Sequence, residues 1–335
     1  MKPFVRTVLG DIPASQLGVC YAHEHIIIDA SFTTHSNPDF LLDSVEVGIA
    51  ELRQFHADGG RAMIDSMPCD CGRNVRKLAA IAEASGVHIV CPTGLHLAKY
   101  YDPGHWGNFY HADDLAELFI ADIQSGIDAH DYNGPLVSRT AHRAGLIKIA
   151  TDKVITAREK TIFAAAAGAH RRTGAPILTH TEQGTLGLEQ VAMLDGLGVD
   201  LRHVCLSHLD RNPDIRYHRE ILSSGVRVEY DSAFRWKAGE GNLTLNLVCA
   251  LLPEFPGQIM LGMDAARRSY WSNYGGAPGL SHLLTDFGVR LRKSGLSEAQ
   301  IHAIFVTTPA ATYSFAADGE SISKFSPARS YSPLP

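Results

Sequence analysis

The segment GVCYAHEHIII, residues 18–28, sets two histidines one residue apart inside an apolar run, where isoleucine would pack better. Side chains alternate between the two faces of a strand, so His23 and His25 point the same way, about 7 Å apart along it. Two imidazoles so placed can meet one divalent metal ion. Four more polar residues interrupt apolar runs in the same manner: Lys148 in AGLIKIAT (144–151), His180 in APILTHT (175–181), His208 in HVCLSHLD (203–210) and Asp264 in QIMLGMD (258–264). Taken singly, each has an ordinary explanation. A strand-end histidine is hydrogen-bonded, a lysine lays its stem along apolar surface with its ammonium in water, and an aspartate caps the following helix. Six together, all nitrogen and oxygen donors at the same ends of their strands, favour a metal centre instead. Lys148 is the misfit, because an ammonium is repelled by cations and cannot ligate. Burial between Ile147 and Ile149 populates the neutral amine. That amine can add carbon dioxide to give a carbamate, an anion with two oxygens able to bridge two metals.

Eight apolar runs position these residues: 18–28, 61–68, 87–95, 144–151, 175–181, 203–210, 226–232 and 258–264. Helix-patterned segments alternate with them, at 74–85, 113–127, 157–172, 186–195, 214–224 and 279–294. Gly86, Gly174 and Gly225 stand just before a strand, where helix-capping glycines stand. Eight strands alternating with helices imply a parallel sheet, and eight is the number that closes into a barrel with its active site at the strands' C-terminal ends. The alternative, an open doubly wound sheet, lacks its Gly-rich turn after the first strand. His88 and His203 begin their strands, while His105, His111, His142, His170 and His218 fall in loops or helices; none receives a role.

With 335 residues, 45% of them hydrophobic, the chain can bury the core of one such barrel. A formal charge of −6 opposes binding to nucleic acid or an anionic membrane. No apolar run approaches the ~20 residues that span a bilayer. Arg6 and Asp11 interrupt the N-terminal segment where a signal peptide needs apolar residues, so the expected location is cytoplasmic. The six cysteines (Cys20, Cys69, Cys71, Cys91, Cys205 and Cys249) are expected as reduced thiols. Cys69-Asp-Cys71 lacks a second cysteine pair to complete a zinc set.

The set of His-x-His, strand-four lysine, two strand-end histidines and a final aspartate resembles the phosphotriesterase family of the amidohydrolase superfamily. The likeness runs from VRTVLGDI to TPAATYSF. It implies an α/β fold: a (β/α)8 TIM barrel over residues 1–316 that includes a short N-terminal β-hairpin, then an extended Ser/Pro-rich C-terminal tail, 317–335. It also implies a binuclear centre of two divalent ions, usually zinc, with manganese or cobalt as alternatives. His23, His25 and Asp264 would hold the inner metal and His180 and His208 the outer one. N6-carboxylated Lys148 and a hydroxide would bridge them. The hydroxide would attack a carbonyl, with Asp264 as the catalytic residue that accepts its proton.

Loops decide the substrate. SAFRWK, with Arg235 and Lys237, follows strand seven, and AARRSYWSNYGGAPG, with Arg267, Arg268 and Tyr270, follows strand eight, where barrel enzymes often hold phosphate. Within the family, SHLDRNPD (207–214), VEYD (228–231) and RRSYWSNYGGAPG (267–279) are similar to the phosphofuranose lactonase subgroup. That likeness implies hydrolysis of a phosphorylated sugar 1,4-lactone, with its phosphate on Lys237, Arg267 and Tyr270 and with Arg235 beside them. Tyr100 or Tyr101, after strand three, would touch the lactone. The expected partner is this small molecule, not nucleic acid or membrane, and a homodimer is compatible with the sequence. A second reading is a lactonase, esterase or amidase acting on N-acyl homoserine lactones or other carboxylic esters, with weak organophosphate hydrolysis. A third is a non-catalytic metal- or sugar-phosphate-binding protein.

Overall fold

Phe4–Thr7 (β1) and Gly10–Pro13 (β2) pair antiparallel, forming the expected N-terminal hairpin. The computed structural model describes residues 2–236 and 241–316. Lys237 and the tail 317–335 lie outside the described residues. The barrel strands are Cys20–Glu24 (β3), Ala62–Asp65 (β4), His88–Val90 (β5), Pro92–Gly94 (β6), Leu146–Thr151 (β7), Ile177–Thr181 (β8), Val204–Ser207 (β9), Arg227–Tyr230 (β10) and Ile259–Leu261 (β11). Hydrogen bonds run β3-β4-β5 on one side and β6-β7-β8-β9-β10-β11 on the other, all parallel. β5 and β6 are one staff of the barrel. It breaks at Cys91, ahead of a proline that has no N–H to give to a ladder. The ring closes where Met263 and Asp264 donate their backbone N–H groups to His23 O, at 3.3 and 3.0 Å. The expected eight-stranded α/β barrel is the fold observed.

Each strand faces apolar surroundings on both sides, as a parallel sheet covered by helices requires. Cys20, Ala22, Ile64, Val90, Leu146, Leu178, Cys205 and Met260 fill the barrel interior. Tyr21, Met63, Ile89, Ile147, Ile177, Leu206, Val228 and Ile259 pack outward against the helices. Tyr313 joins the interior cluster and donates its hydroxyl to Ala22 O at 2.8 Å. The expected helices form at Val75–Ser85, Ala112–Gln124, Ala157–Thr173, Gly187–Gly196 and Ile215–Ser223. The helix expected over 279–294 divides into a 3₁₀ turn, Leu280–Leu283, and an α-helix, Asp286–Lys293. Thr285, with ψ −84°, interrupts the run.

Two local devices aim the site. Pairing between β3 and β4 shifts by one residue between Tyr21 and Glu24, a β-bulge. Ala22 already packs in the interior, and the extra residue lets His23 face inward beside it. The second device is Gly94, which pairs with Lys148 across β6 and β7. Its φ is +107°, and a Cβ there would stand 1.9 Å from Lys148 O, so only glycine permits this approach. Among the described residues no helix is long and apolar enough to cross a membrane.

Candidate active site

Five of the six expected metal-ligating residues converge at the C-terminal rim, and the sixth lies just within it. The rings of His23 and His25 are 5.5 Å apart, those of His23 and His208 4.7 Å, and those of His180 and His208 4.4 Å. Asp264 Oδ1 lies 3.0 Å from His25 Nε2 and 3.8 Å from His23 Nε2. Ala150 pairs with His180, which sets Lys148 one pleat deeper along β7. The Lys148 side chain is wholly buried, and its Nζ donates to Ser207 Oγ at 3.5 Å. His208 and Asp264 hold the left-handed backbone conformation (φ 67° and 48°), a strain of about 1–3 kcal/mol each that turns both side chains off their strands.

A set of carboxylates that the sequence reading did not assign, all buried except the half-buried Glu182, fixes these donors. Glu24, the middle residue of His-Glu-His, accepts from Met263 N at 2.8 Å and from Ala265 N at 3.4 Å, gripping the chain on both sides of Asp264. Asp65 accepts from Ile26 N and Met67 N, both at 2.9 Å, which fixes the backbone next to His25. Asp210 accepts from Ser232 N at 2.8 Å and from Thr244 Oγ1 at 2.5 Å. Asp231 pairs with His208 Nδ1, and Glu182 Oε2 sits 3.1 Å from His180 Nε2. Arg211, also unassigned, donates Nη2 to Asp264 Oδ2 at 2.7 Å and to Asp231 Oδ1 at 3.0 Å. Arg235 reaches the same pair, with Nη2 2.8 Å from Asp264 O and Nη1 2.6 Å from Asp231 O. Nη1 also meets Asp231 Oδ1 at 3.1 Å and Nη2 meets Asp264 Oδ2 at 3.2 Å, so the guanidinium is turned inward to both carboxylates.

Burial, followed by neighbouring charge, holds three imidazoles below their usual pKa. Lys148 and His208 add to the effect on His23, and Arg211 and His180 to that on His208. On His180 the Glu182 bond opposes burial without cancelling it. The downward shifts favour the neutral rings, which keep a lone pair to give. Burial alone would raise the Asp264 carboxyl, but His25, His208, Arg235 and Arg211 hold it well below the usual carboxylate range. Burial brings the Lys148 amine down to about 8. The donor atoms of His23, His25 and Asp264 lie within 4.8 Å of one another, close enough to share one cation. His25 Nδ1 is buried without a hydrogen-bond partner. Neutral imidazoles, a buried amine and an ionised carboxylate fit divalent metal ions.

The four histidines and Asp264 open into a cavity of about 570 Å³ whose wall also carries Tyr100, Arg211, Arg235, Arg267 and Tyr270. Tyr100 faces the cavity, edge-on to His96 at 4.5 Å. Tyr101 turns away, donating its hydroxyl to Cys69 O at 3.1 Å and accepting from His96 N at 2.8 Å. Arg267 lies over the Phe40 ring at 4.4 Å, with Asp39 at 3.6 Å. His96, whose ring is 5.0 Å from His180, is a further residue that the sequence reading missed. Its position just past the third strand's end was the available signal. A second cavity of about 560 Å³ contains none of the residues expected at the metal centre or substrate rim except Tyr101. Three of its five carboxylates are ion-paired, Asp29 with Lys77, Asp70 with His105 and Asp131 with Arg73, while Asp102 and Asp128 accept backbone N–H groups.

A closed (β/α)8 barrel with neutral imidazoles and an ionised carboxylate gathered at its C-terminal rim defines the class of metal-dependent barrel hydrolases. The chain belongs to the phosphotriesterase family, whose model matches residues 3–313, and it is a hydrolase acting on ester bonds. A phospho-furanose lactonase of Mycoplasmopsis agalactiae is 35% identical over 91% of this chain and 90% of its own. The structure of a lactonase from Listeria monocytogenes superposes with a TM-score of 0.86 at 28% identity, covering 94% of this chain and all (100%) of that one. A phosphotriesterase homology protein of Escherichia coli, solved with phosphate in its active site, superposes with a TM-score of 0.80 at 30% identity, over 89% and 99% of the two chains.

Proposed function

We propose that the protein is a metal-dependent lactonase that opens a phosphorylated sugar 1,4-lactone. The observation that carries this reading is one cavity joining the imidazole–carboxylate cluster to Arg267 and Tyr270 at its rim. The name of the Mycoplasmopsis agalactiae relative and the phosphate in the Escherichia coli structure support it. His23, His25 and Asp264 would hold one divalent ion and His180 and His208 a second, with carboxylated Lys148 between them; zinc suits this donor set best. Such ions lower the pKa of water and polarise a carbonyl oxygen. Asp264 accepts the proton of the attacking water and returns it to the ring oxygen as the acyl C–O bond breaks, giving a hydroxy acid. Arg211 and Arg235 keep Asp264 ionised and fix its second oxygen. Tyr100 supplies an aromatic wall, and Arg267 and Tyr270, with Lys237, take the phosphate. Residues 1–316 form the single catalytic domain in this account. The six free cysteines suit a reducing compartment such as the cytoplasm.

Arg267→Ala tests the phosphate grip. A charge-assisted contact is worth about 1.5–3 kcal/mol. kcat/KM on a phosphorylated lactone is therefore expected to fall roughly 10- to 150-fold, with turnover of the unphosphorylated lactone unchanged. An equal fall on both substrates would mean that Arg267 supports its loop, and the broader lactonase or esterase reading would replace this one.

A further inference from the structure

Glu229, on β10, is fully buried, and neither of its carboxylate oxygens has a hydrogen-bond partner. Glu24, Asp65 and Asp210, equally buried, each accept backbone N–H groups. A buried carboxyl without such partners calls for an explanation. The Asp231 carboxylate crowds it, and the imidazole set against it is His23: Oε2 lies 3.4 Å from Nδ1, a nitrogen that is itself buried and without a hydrogen bond. Gly262 makes the approach possible. A Cβ there would stand 2.8 Å from Glu229 Oε1 and 2.7 Å from His23 O. At 3.4 Å the pair falls just outside ordinary N–H···O length.

We propose that Glu229 is the positioning residue of His23, drawing the imidazole proton to Nδ1 and leaving the Nε2 lone pair turned toward Asp264 and His25. Nε2 does face that way, 3.8 Å from Asp264 Oδ1. Asp231 stands at His208 Nδ1 and Glu182 at His180 Nε2, so three imidazoles each have a carboxylate set against one ring nitrogen. A carboxylate behind a ligating histidine fixes both tautomer and ring angle. The inference rests on the metal-dependent reading above and adds to it the residue that prepares the first ligand.

The test uses the full chain labelled with ¹⁵N-histidine, with His23 assigned by its absence from His23→Gln. Long-range ¹H–¹⁵N correlation of the metal-free wild type is expected to show the His23 proton on Nδ1. A proton on Nε2, the outcome if the carboxyl instead donates to Nδ1, overturns the proposal without Glu229→Gln having to fold. Glu229→Gln is then titrated with zinc against a chromogenic chelator. A folded variant should bind its tighter zinc about 10- to 100-fold more weakly than wild type, and unchanged affinity would also overturn the proposal. A wild type that binds no divalent ion would instead overturn the metal-dependent reading, and the tautomer spectrum keeps the two failures apart.

Discussion

Lys148→Ala is expected to lose about 1,000-fold in kcat/KM on its best lactone, together with most of its bound metal. The side chain is wholly buried and its amine meets one hydroxyl, Ser207 Oγ at 3.5 Å. Nothing in those contacts explains a lysine there as a structural residue, since burying an unpaired ammonium is costly. As a carbamate it would instead supply the anion between the two sets of ligands. Its loss would leave the proposed metal centre short of one negative charge and one bridge. Removing a single stabilising group from an active site costs about 100- to 1,000-fold, and loss of metal puts this variant at the upper end. A small carboxylic acid should enter the space left by the side chain and restore part of both metal and activity. Metal analysis before and after adding such an acid, with kcat/KM at each stage, checks the expectation. Full activity in Lys148→Ala would refute the bridging role.

Asp264→Asn should lower kcat by about 100- to 10,000-fold, the range for a lost general base. The amide keeps the shape but cannot take a proton. It also removes the charge opposite Arg211 and Arg235, which approach Oδ2 at 2.7 and 3.2 Å. Breaking a buried ion pair by removing one partner costs about 3–5 kcal/mol. The two guanidiniums are partly open to water and retain Asp231, so the loss belongs at the low end of that range. Steady-state kinetics and denaturant unfolding of the metal-free variant measure the two effects separately. Wild-type kcat in Asp264→Asn would exclude it as the proton acceptor.

The barrel and its donors were legible because both follow strand period and strand ends. Eight apolar runs gave the staves, and polar residues set within or closing those runs pointed to His23, His25, His180, His208 and Asp264. What the sequence hid depends on contacts distant along the chain. Glu24 grips residues 263 and 265, and Asp210 holds residue 232. No local pattern pairs them. The bulge that brings His23 inward beside Ala22 is a one-residue register shift, invisible where alternation is read as unbroken. Arg211 lies inside a quoted motif, yet its partners, Asp231 and Asp264, come from other strands. Tyr100 and Tyr101 are neighbours in a loop without period, so only three-dimensional packing separates the one facing the cavity from the one bonded to Cys69 O.

The central claim is that this site opens lactones that carry a phosphate. Its most direct test is kcat/KM of the zinc-loaded protein on a phosphorylated sugar 1,4-lactone and on the same lactone without phosphate, followed by proton release in a weak buffer. One charge-assisted contact to the phosphate accounts for about 10- to 150-fold, and the proposed grip by Arg267, Tyr270 and Lys237 would supply more than one. The phosphorylated substrate is therefore expected to lead by at least about 10-fold. Equal rates on the two lactones, or a faster reaction without the phosphate, would contradict the account.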